Sequence, residues 1–442
     1  MAQNLKQVYN VAIIGGGYAG MAAAAELSAN QVPVTLFESS RVLGGRARIL
    51  EAHGCHLDNG MHILLGAYRE TLRLMRLVGA NTDKLLLRLP LTMSYPGQLH
   101  LSAPHLPAPL HLLFALLGAR GLNLREKLAA IRFMQALKRC KFKLAESNSV
   151  TVADLLAAHD QPQRIRDLLW LPLCIAALNT PPESASAQVF CNVLRDSLAA
   201  QREASDMLLP RTDLTSLFPD LAAAYVAARG GEILRNTPIR KIALEDERFV
   251  LQGASHDFGR YSHIIVAVAP YHLATLVDSL PPLESLLETV AAITYQPIIT
   301  CHFGYPPQVR LPLPMLGHAH GIMQWLFDRG QLCGTPGVLA AVVSAQGRHL
   351  KLPREELLRA IQAEIAGIVP DLPAPLWSQL IHEKRATFAC TPRMLRPPTR
   401  TAIPGLLLAG DYVAGEHPAT LEGAVRSGLA AAASVLDQLP AG

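Results

Sequence analysis

The sequence is short of charge and of aromatic rings: of 442 residues, 17% are Asp, Glu, Lys or Arg and 5% are Phe, Trp or Tyr. It also has no run of the ~18 uninterrupted apolar residues that a membrane span requires. The greasiest stretch, Leu106 to Leu117, is broken by Pro107, Pro109 and His111. No heptad is sustained, which excludes a coiled coil, and half the residues are hydrophobic, which excludes disorder. The seven cysteines are scattered with no C-x-x-C pair, so neither a disulfide framework nor a zinc site is expected, and no metal. Met1–Asn10 is polar and the first apolar run leads straight into glycines, so no secretory leader is read and a cytoplasmic location is expected. The net charge, 40 − 35 = +5, is too small to imply nucleic-acid binding unless it clusters. At about 150 residues per domain, the length allows two or three domains.

The chain opens as strand, glycine turn, helix, strand. Val8–Ile14 is short, apolar and β-branched, as a strand buried on both faces should be. An Ala-rich helix over Met21–Leu27 and a second strand over Val34–Phe37 follow. Further strand-like runs are His263–Val268 and Leu406–Leu408, with β-structure between Gly231 and Leu251. Strands of one parallel sheet therefore lie at both ends and in the middle of the chain, and the expected fold is α/β. A Rossmann-like dinucleotide domain is built from residues 1–85, 226–289 and 396–442, interrupted by an inserted α+β substrate domain at 86–225 and 290–395. The first insertion reads as helical. The second mixes strands (Ile298–Phe303, Gly337–Val343) with a helix near Arg354–Ile368.

Three motifs carry the chemistry. In Gly15-Gly16-Gly17-Tyr18-Ala19-Gly20, Gly15 permits a tight turn, Gly17 lets a pyrophosphate reach the backbone, and Gly20 lets helix pack on strand. The helix start offers unpaired N–H groups and partial positive charge to phosphates. Glu38, closing the second strand, suits the hydroxyls of a ribose. Arg41-Val42-Leu43-Gly44-Gly45-Arg46 brings a second glycine loop and guanidinium to the same place, a feature an NAD dehydrogenase does not need. At the far end, Leu408-Ala409-Gly410-Asp411 offers a carboxylate to a sugar chain. A helix starting near Leu421, with Glu422 and the small Gly423 and Ala424, would aim its dipole at a flavin ring. Together these make FAD the preferred dinucleotide.

The three elements resemble the FAD-dependent amine oxidase and carotenoid desaturase superfamily over Val8 to about Gly79, Gly231 to Pro270 and Leu406 to Leu436. The run from Leu57-Asp58-Asn59-Gly60-Met61-His62 to Thr71, with Thr420–Val425, is similar to its squalene-associated branch, the hydroxysqualene dehydroxylases. The resemblance implies a cofactor cradle that also takes in Tyr18, Ala19, Ser39 and Ile239. It further implies a reductive reaction of squalene and hopanoid synthesis, in which hydroxysqualene, a C30 isoprenoid, loses its hydroxyl as water and gains a hydride. Asp58 and His62 are then candidate proton donors, and Asn59 could position the hydroxyl. The alternatives are a turn-capping carboxylate for Asp58 and a satisfied core histidine for His62. Glu422 reads as a cap or flavin contact. No second dinucleotide fingerprint appears, so electrons are expected from NAD(P)H or a reductase outside the chain.

Positive charge does cluster once. Arg120, Arg125, Lys127, Arg132, Lys138, Arg139, Lys141 and Lys143 face a single acid, Glu126, with Leu124, Leu128, Ile131, Met134 and Leu137 at helical spacing opposite. Beside the greasy loop this reads as a surface lying on the inner face of an anionic membrane, the alternative being a core-packed helix with a solvated face. Trp170, Phe190, Phe303, Trp325 and Phe327 are candidate tunnel lining, the alternative for each being plain core. Two other readings remain: an oxidative polyene desaturase or amine oxidase, and a flavin-free prenyl-lipid carrier.

Overall fold

The computed structural model describes residues 9–145, 149–281 and 283–438. Its first layer is a five-stranded, wholly parallel sheet of β1 (Val11–Ile14), β2 (Val34–Phe37), β3 (Glu232–Leu234), β4 (His263–Val266) and β10 (Leu406–Leu408). The spatial order is β3-β2-β1-β4-β10. Chain order thus reverses direction at β1, and a ligand crevice belongs at the carboxyl ends beside that switch point. Helix α1 (Tyr18–Ala29) is apolar nearly all round and buried between this sheet and α9 (Leu421–Leu436). The two helices can touch because a Cβ on Gly428 would run into the carbonyl of Ala19.

Val8 lies outside the described residues, so the first strand is seen from Val11. The helix begins three residues earlier than Met21, directly on the glycine turn. The β-structure expected between Gly231 and Leu251 divides: β3 joins the parallel sheet, while Lys241–Glu245 and Arg248–Gln252 form a meander with Asp257–Tyr261. A domain boundary at 225/226 would cut helix α7 (Pro219–Ala227), whose Ala222 and Val226 share a core with Val11, Ile13 and α1, as do Leu214 and Phe218. The stretch from Leu214 onward therefore packs with the parallel sheet.

The second layer is an antiparallel sheet of β5 (Tyr295–Gly304), β6 (Met315–Gly317), β7 (Trp325–Asp328), β8 (Val338–Ser344) and β9 (Trp377–Phe388), ordered β6-β7-β8-β5-β9. Ile299, Cys301, Phe303, Leu326, Ala341 and Val343 pack on one face against α8 (Arg354–Ile368). The alternate residues Ile298, Trp325, Phe327 and Val342 pack on the other, toward α5 (Leu171–Leu178) and α6 (Ala187–Ser197). Strand β9 has no apolar alternation to reveal it, because its run of Ser, Gln, His, Glu, Lys and Arg lies at an exposed edge. The first insertion is mainly helical but also holds the hairpin Thr92–Tyr95/Leu99–Ser102 and the strands Leu86–Leu89 and Met207–Pro210. Between α3 (Leu110–Gly118) and α4 (Leu124–Arg139), Asn123 and Glu126 form a capping box, which explains the one acid among the basic residues.

Candidate active site

A cavity of about 870 Å³ runs from the carboxyl ends of β1, β2, β4 and β10 across the second sheet. Its first half is backbone. Gly15 sits at φ +111° with a Cβ position blocked by the carbonyl of Ala267, so only glycine makes this turn. Helix α1 starts at Tyr18 with no side-chain cap, which leaves its first amides unpaired and facing the crevice. The second loop docks on the first through Gly44 N–H to Gly16 O at 2.9 Å, with Gly17 bridged to Gly44 and close to Gly45. A side chain at Gly17 would meet only the Cα of Gly45, at 3.9 Å, and would otherwise fill the cradle. Glu38 is 8% exposed and lines the cavity, its carboxylate accepting from Gly16 N–H at 2.6 Å and Ser40 N–H at 2.7 Å. Across the crevice, Asp411 accepts from the Arg46 guanidinium at 2.6 Å, and Arg46 also donates to Ala386 O at 2.9 Å. This is a cradle shaped for a long anionic dinucleotide: open backbone at the phosphates, a carboxylate at the β2 tip, and an ion pair beyond. FAD fits it, because the chain leaves space where only glycine stands.

Of the residues singled out for the cofactor, Gly15, Gly17, Tyr18, Ala19, Glu38, Ser39, Gly44, Gly45, Arg46, Ile239, Gly410, Asp411, Leu421, Glu422 and Ala424 all border the cavity. Three do not. Gly20 lies behind it, where any Cβ would strike the Gly15 carbonyl, so its role is packing. Arg41 is exposed outside the lining, and the amide of Gly423 is taken by the Thr420 hydroxyl that caps α9. The Tyr18 ring turns into the core, its hydroxyl donating to Leu214 O at 2.8 Å. Glu422, 1% exposed, caps α2 (Arg69–Leu77) instead of serving as an acid: it accepts from Thr71 N–H at 2.9 Å and from the Thr71 hydroxyl at 2.7 Å, and pairs with Arg426.

The segment carrying Asp58 to His62 reaches the cavity only in part. Asp58 faces away from it and does not line it. Its carboxylate accepts from Arg329 at 2.9 Å and from Leu214 N–H at 2.9 Å, while its carbonyl accepts from His302 at 3.0 Å. Burial raises the Asp58 carboxyl from its ordinary value, and Arg329 pulls against that. Arg329 is 1% exposed and also donates to His56 O at 2.9 Å and approaches Met61 Sδ at 3.4 Å. The pair is therefore a strut from the second sheet holding the segment in place, and the proton-donor role considered for Asp58 has no path to the cavity. Asn59 does line it, but its side-chain oxygen accepts from Arg48 N–H at 3.1 Å, pinning the two loops together. His62 lines it too, Nδ1 facing Gly60 O at 3.1 Å. Burial lowers the His62 basicity, with the Gly60 carbonyl and the Asp58 charge acting against it and Arg46 with it.

The second half is apolar, lined by Met93, Leu173, Ile298, Met315 and Val342 and by Phe190, Trp325 and Phe327 from the expected set. Trp170 and Phe303 are core instead: Trp170 donates to Gln161 at 2.9 Å, and Phe303 packs toward α8. Sequence reasoning missed Arg329 and His302, which carry no motif and lie 271 and 244 residues from Asp58. It also missed His417, a lining residue whose basicity burial lowers, one turn before α9.

Comparison with known proteins agrees with this architecture. The family model described as flavin containing amine oxidoreductase matches residues 18–436. Hydroxysqualene dehydroxylases from Sinorhizobium fredii and Rhodopseudomonas palustris are 30% and 31% identical, over 97% and 96% of this chain and 99% and 98% of theirs. A 15-cis-phytoene desaturase from Synechococcus elongatus is 24% identical over 96% of this chain and 95% of its own. Among solved structures, an oxidoreductase from Methanosarcina mazei superposes with a TM-score of 0.73 at 15% identity, covering 95% of this chain and 99% of that one. With a glycine cradle, a split parallel sheet and a match over nearly its whole length, the chain belongs to the flavin containing amine oxidoreductases and is an FAD-dependent enzyme.

Proposed function

We propose that the protein reductively removes the hydroxyl of hydroxysqualene to give squalene, a step of squalene and hopanoid synthesis. The observation that carries this reading is an apolar slot continuous with the dinucleotide cradle, in a chain about 30% identical throughout to two hydroxysqualene dehydroxylases. Bound FAD, once reduced, supplies the hydride. The chain's own residues do the rest. Phe190, Trp325, Phe327 and Met315 keep the slot dry, so an allylic cation formed as water leaves meets no competing nucleophile. His62 moves the proton: with Nδ1–H held by Gly60 O, a proton taken up at Nε2 passes to the departing oxygen. Its lowered basicity makes the imidazolium a stronger acid. Asp58, through Arg329 and His302, positions the segment that carries His62. Electrons come from outside the chain, from NAD(P)H or a reductase, since the described residues hold one parallel sheet with one glycine turn of this type.

The same reading includes a membrane surface. Burying a C30 hydrocarbon is worth roughly 20 kcal/mol at ~0.8 kcal/mol per carbon, so the substrate stays in lipid. On α3, Leu110, Phe114 and Leu117 are 42%, 50% and 40% exposed at helical spacing, and Leu124 and Leu128 on α4 are 65% and 37% exposed. Arg120, Arg125, Arg132, Lys138, Arg139, Lys141 and Lys143 are exposed nearby. Among the described residues no helix is long and apolar enough to cross a membrane, so contact would be peripheral, at the inner face.

The test is anaerobic incubation of photoreduced protein with hydroxysqualene. Squalene formed in step with flavin reoxidation is expected; flavin that stays reduced, or a new double bond from oxidised protein instead, refutes the proposal.

A further inference from the structure

The cavity has a direction. At β9, Glu383 borders it beside the Arg46–Asp411 pair. Glu383 is opposite Ile298 on β5, Ile298 opposite Ser344 on β8, Val342 opposite Trp325 on β7, and Phe327 opposite Met315 on β6. All of these line the cavity, so it crosses all five strands. Four spacings of about 4.8 Å put Met315 roughly 19 Å from the flavin end.

That remote end is a wall of large side chains. Trp325 and Met315 are each 8% exposed and Met93 2%, and all three face the cavity. Behind them stands Tyr95, 2% exposed, its ring 5.9 Å from that of Trp325 and its hydroxyl without a partner among the described residues. The ring occupies the position a Cβ on Gly317 would take, so the edge strand is glycine there to admit it. The hairpin bearing Met93 and Tyr95 is braced in turn: His100 pairs with Arg120, and the Arg164 guanidinium donates to Gly121 O at 2.7 Å. The indole backed this way cannot swing toward the hairpin without displacing the Tyr95 ring.

We infer that Trp325, with Met315 and Met93, is the stop that measures isoprenoid chain length, seated by Tyr95 over Gly317. The inference rests on the isoprenoid reading above and deepens it: the slot selects length at its end remote from the cradle. Removing the indole lengthens the slot toward Tyr95, and the preferred chain lengthens with it.

The experiment titrates FAD-loaded protein with detergent-dispersed isoprenoid hydrocarbons of C30, C35 and C40, reading the perturbation of the flavin visible spectrum. The wild type should bind C30 at least tenfold more tightly than C35. Trp325→Ala should erase or invert that preference, and Met315→Ala should narrow it. Trp325→Leu serves in the same role where the alanine variant retains no flavin. An unchanged C35-to-C30 ratio in Trp325→Leu and Met315→Ala, with C30 still bound, overturns the length stop and leaves the isoprenoid reading standing. A wild type that binds none of the three overturns the isoprenoid reading and the stop with it.

Discussion

Replacing Arg329 by methionine tests how the two layers are tied. The guanidinium is 1% exposed and Asp58 4%, at 2.9 Å, so the substitution strands a carboxylate in the interior. It also removes the donor to His56 O. Breaking a buried pair on one side costs about 3–5 kcal/mol, and the lost carbonyl partner adds about 1–3 kcal/mol. Against a total stability of about 5–15 kcal/mol this is severe. Asp58→Asn with Arg329→Met removes both charges, keeps an acceptor for Leu214 N–H, and should recover most of the loss. The pH dependence gives a second signature. Burial already raises the Asp58 carboxyl, and without Arg329 the Leu214 N–H is left to oppose it, so the folded-state value climbs further above the unfolded one. A group raised in this way favours the fold below its unfolded value and loses that contribution as pH rises through the folded one. The Arg329→Met penalty should therefore be smaller at pH 5 than at pH 8. Urea titration followed by flavin release, with both single variants and the double, measures the cycle. Additive losses, or a single-variant penalty below about 1 kcal/mol, would refute the strut.

Gly17→Val should yield folded protein with at least tenfold lower flavin occupancy, because its Cβ has room but fills the cradle; Gly15→Ala should fail to fold, being strained at φ +111° and blocked by Ala267. Visible absorbance beside circular dichroism distinguishes the two outcomes. With His62 passing a proton from its charged form, and burial holding its value below the ordinary ~6.5, kcat/KM for dehydroxylation should fall about tenfold per pH unit above neutrality. His62→Gln should be slow and flat with pH, and His417→Ala should keep the slope. Phe114→Asp with Leu117→Asp should lower partition onto anionic vesicles at least tenfold without changing flavin content, read by sedimentation at two salt concentrations.

What could be read from the sequence is whatever is local. The glycine turn, Glu38 and the Gly410-Asp411 corner each declare themselves within a few residues, because backbone freedom and strand-end chemistry are local demands. The parallel strands of the first domain stand out as apolar runs since both faces are covered. Strand β9 does not, because an exposed edge needs no apolar period. The role of Asp58 is invisible for another reason: its partner stands 271 residues away, directly after β7, and nothing in Leu57–His62 distinguishes a carboxylate facing a cavity from one facing Arg329. Glu422 reads as a helix-start acid, and it is one, but the helix it caps is α2, 351 residues back.

The partners of the acids along the cavity bear directly on the chemistry. Glu38 is held by backbone amides, Asp411 by Arg46, Glu422 by Thr71 and Arg426, Asp196 by Arg195, and Glu383 by the Arg385 amide. Each is tied into the fold at the cradle or the rim, while the slot between Ile298 and Met315 is walled mostly by apolar side chains, with Ser344 among them. A hydrocarbon substrate requires that partition, since an unpaired carboxylate in the slot would bring water with it. The consequence falls on proton supply: a group that handles a proton at the boundary must be neutral when idle, so that it costs little to bury, and chargeable on demand. Imidazole meets both conditions and a carboxylate held by arginine meets neither, so of the two candidates His62, and not Asp58, is the one we propose for the proton.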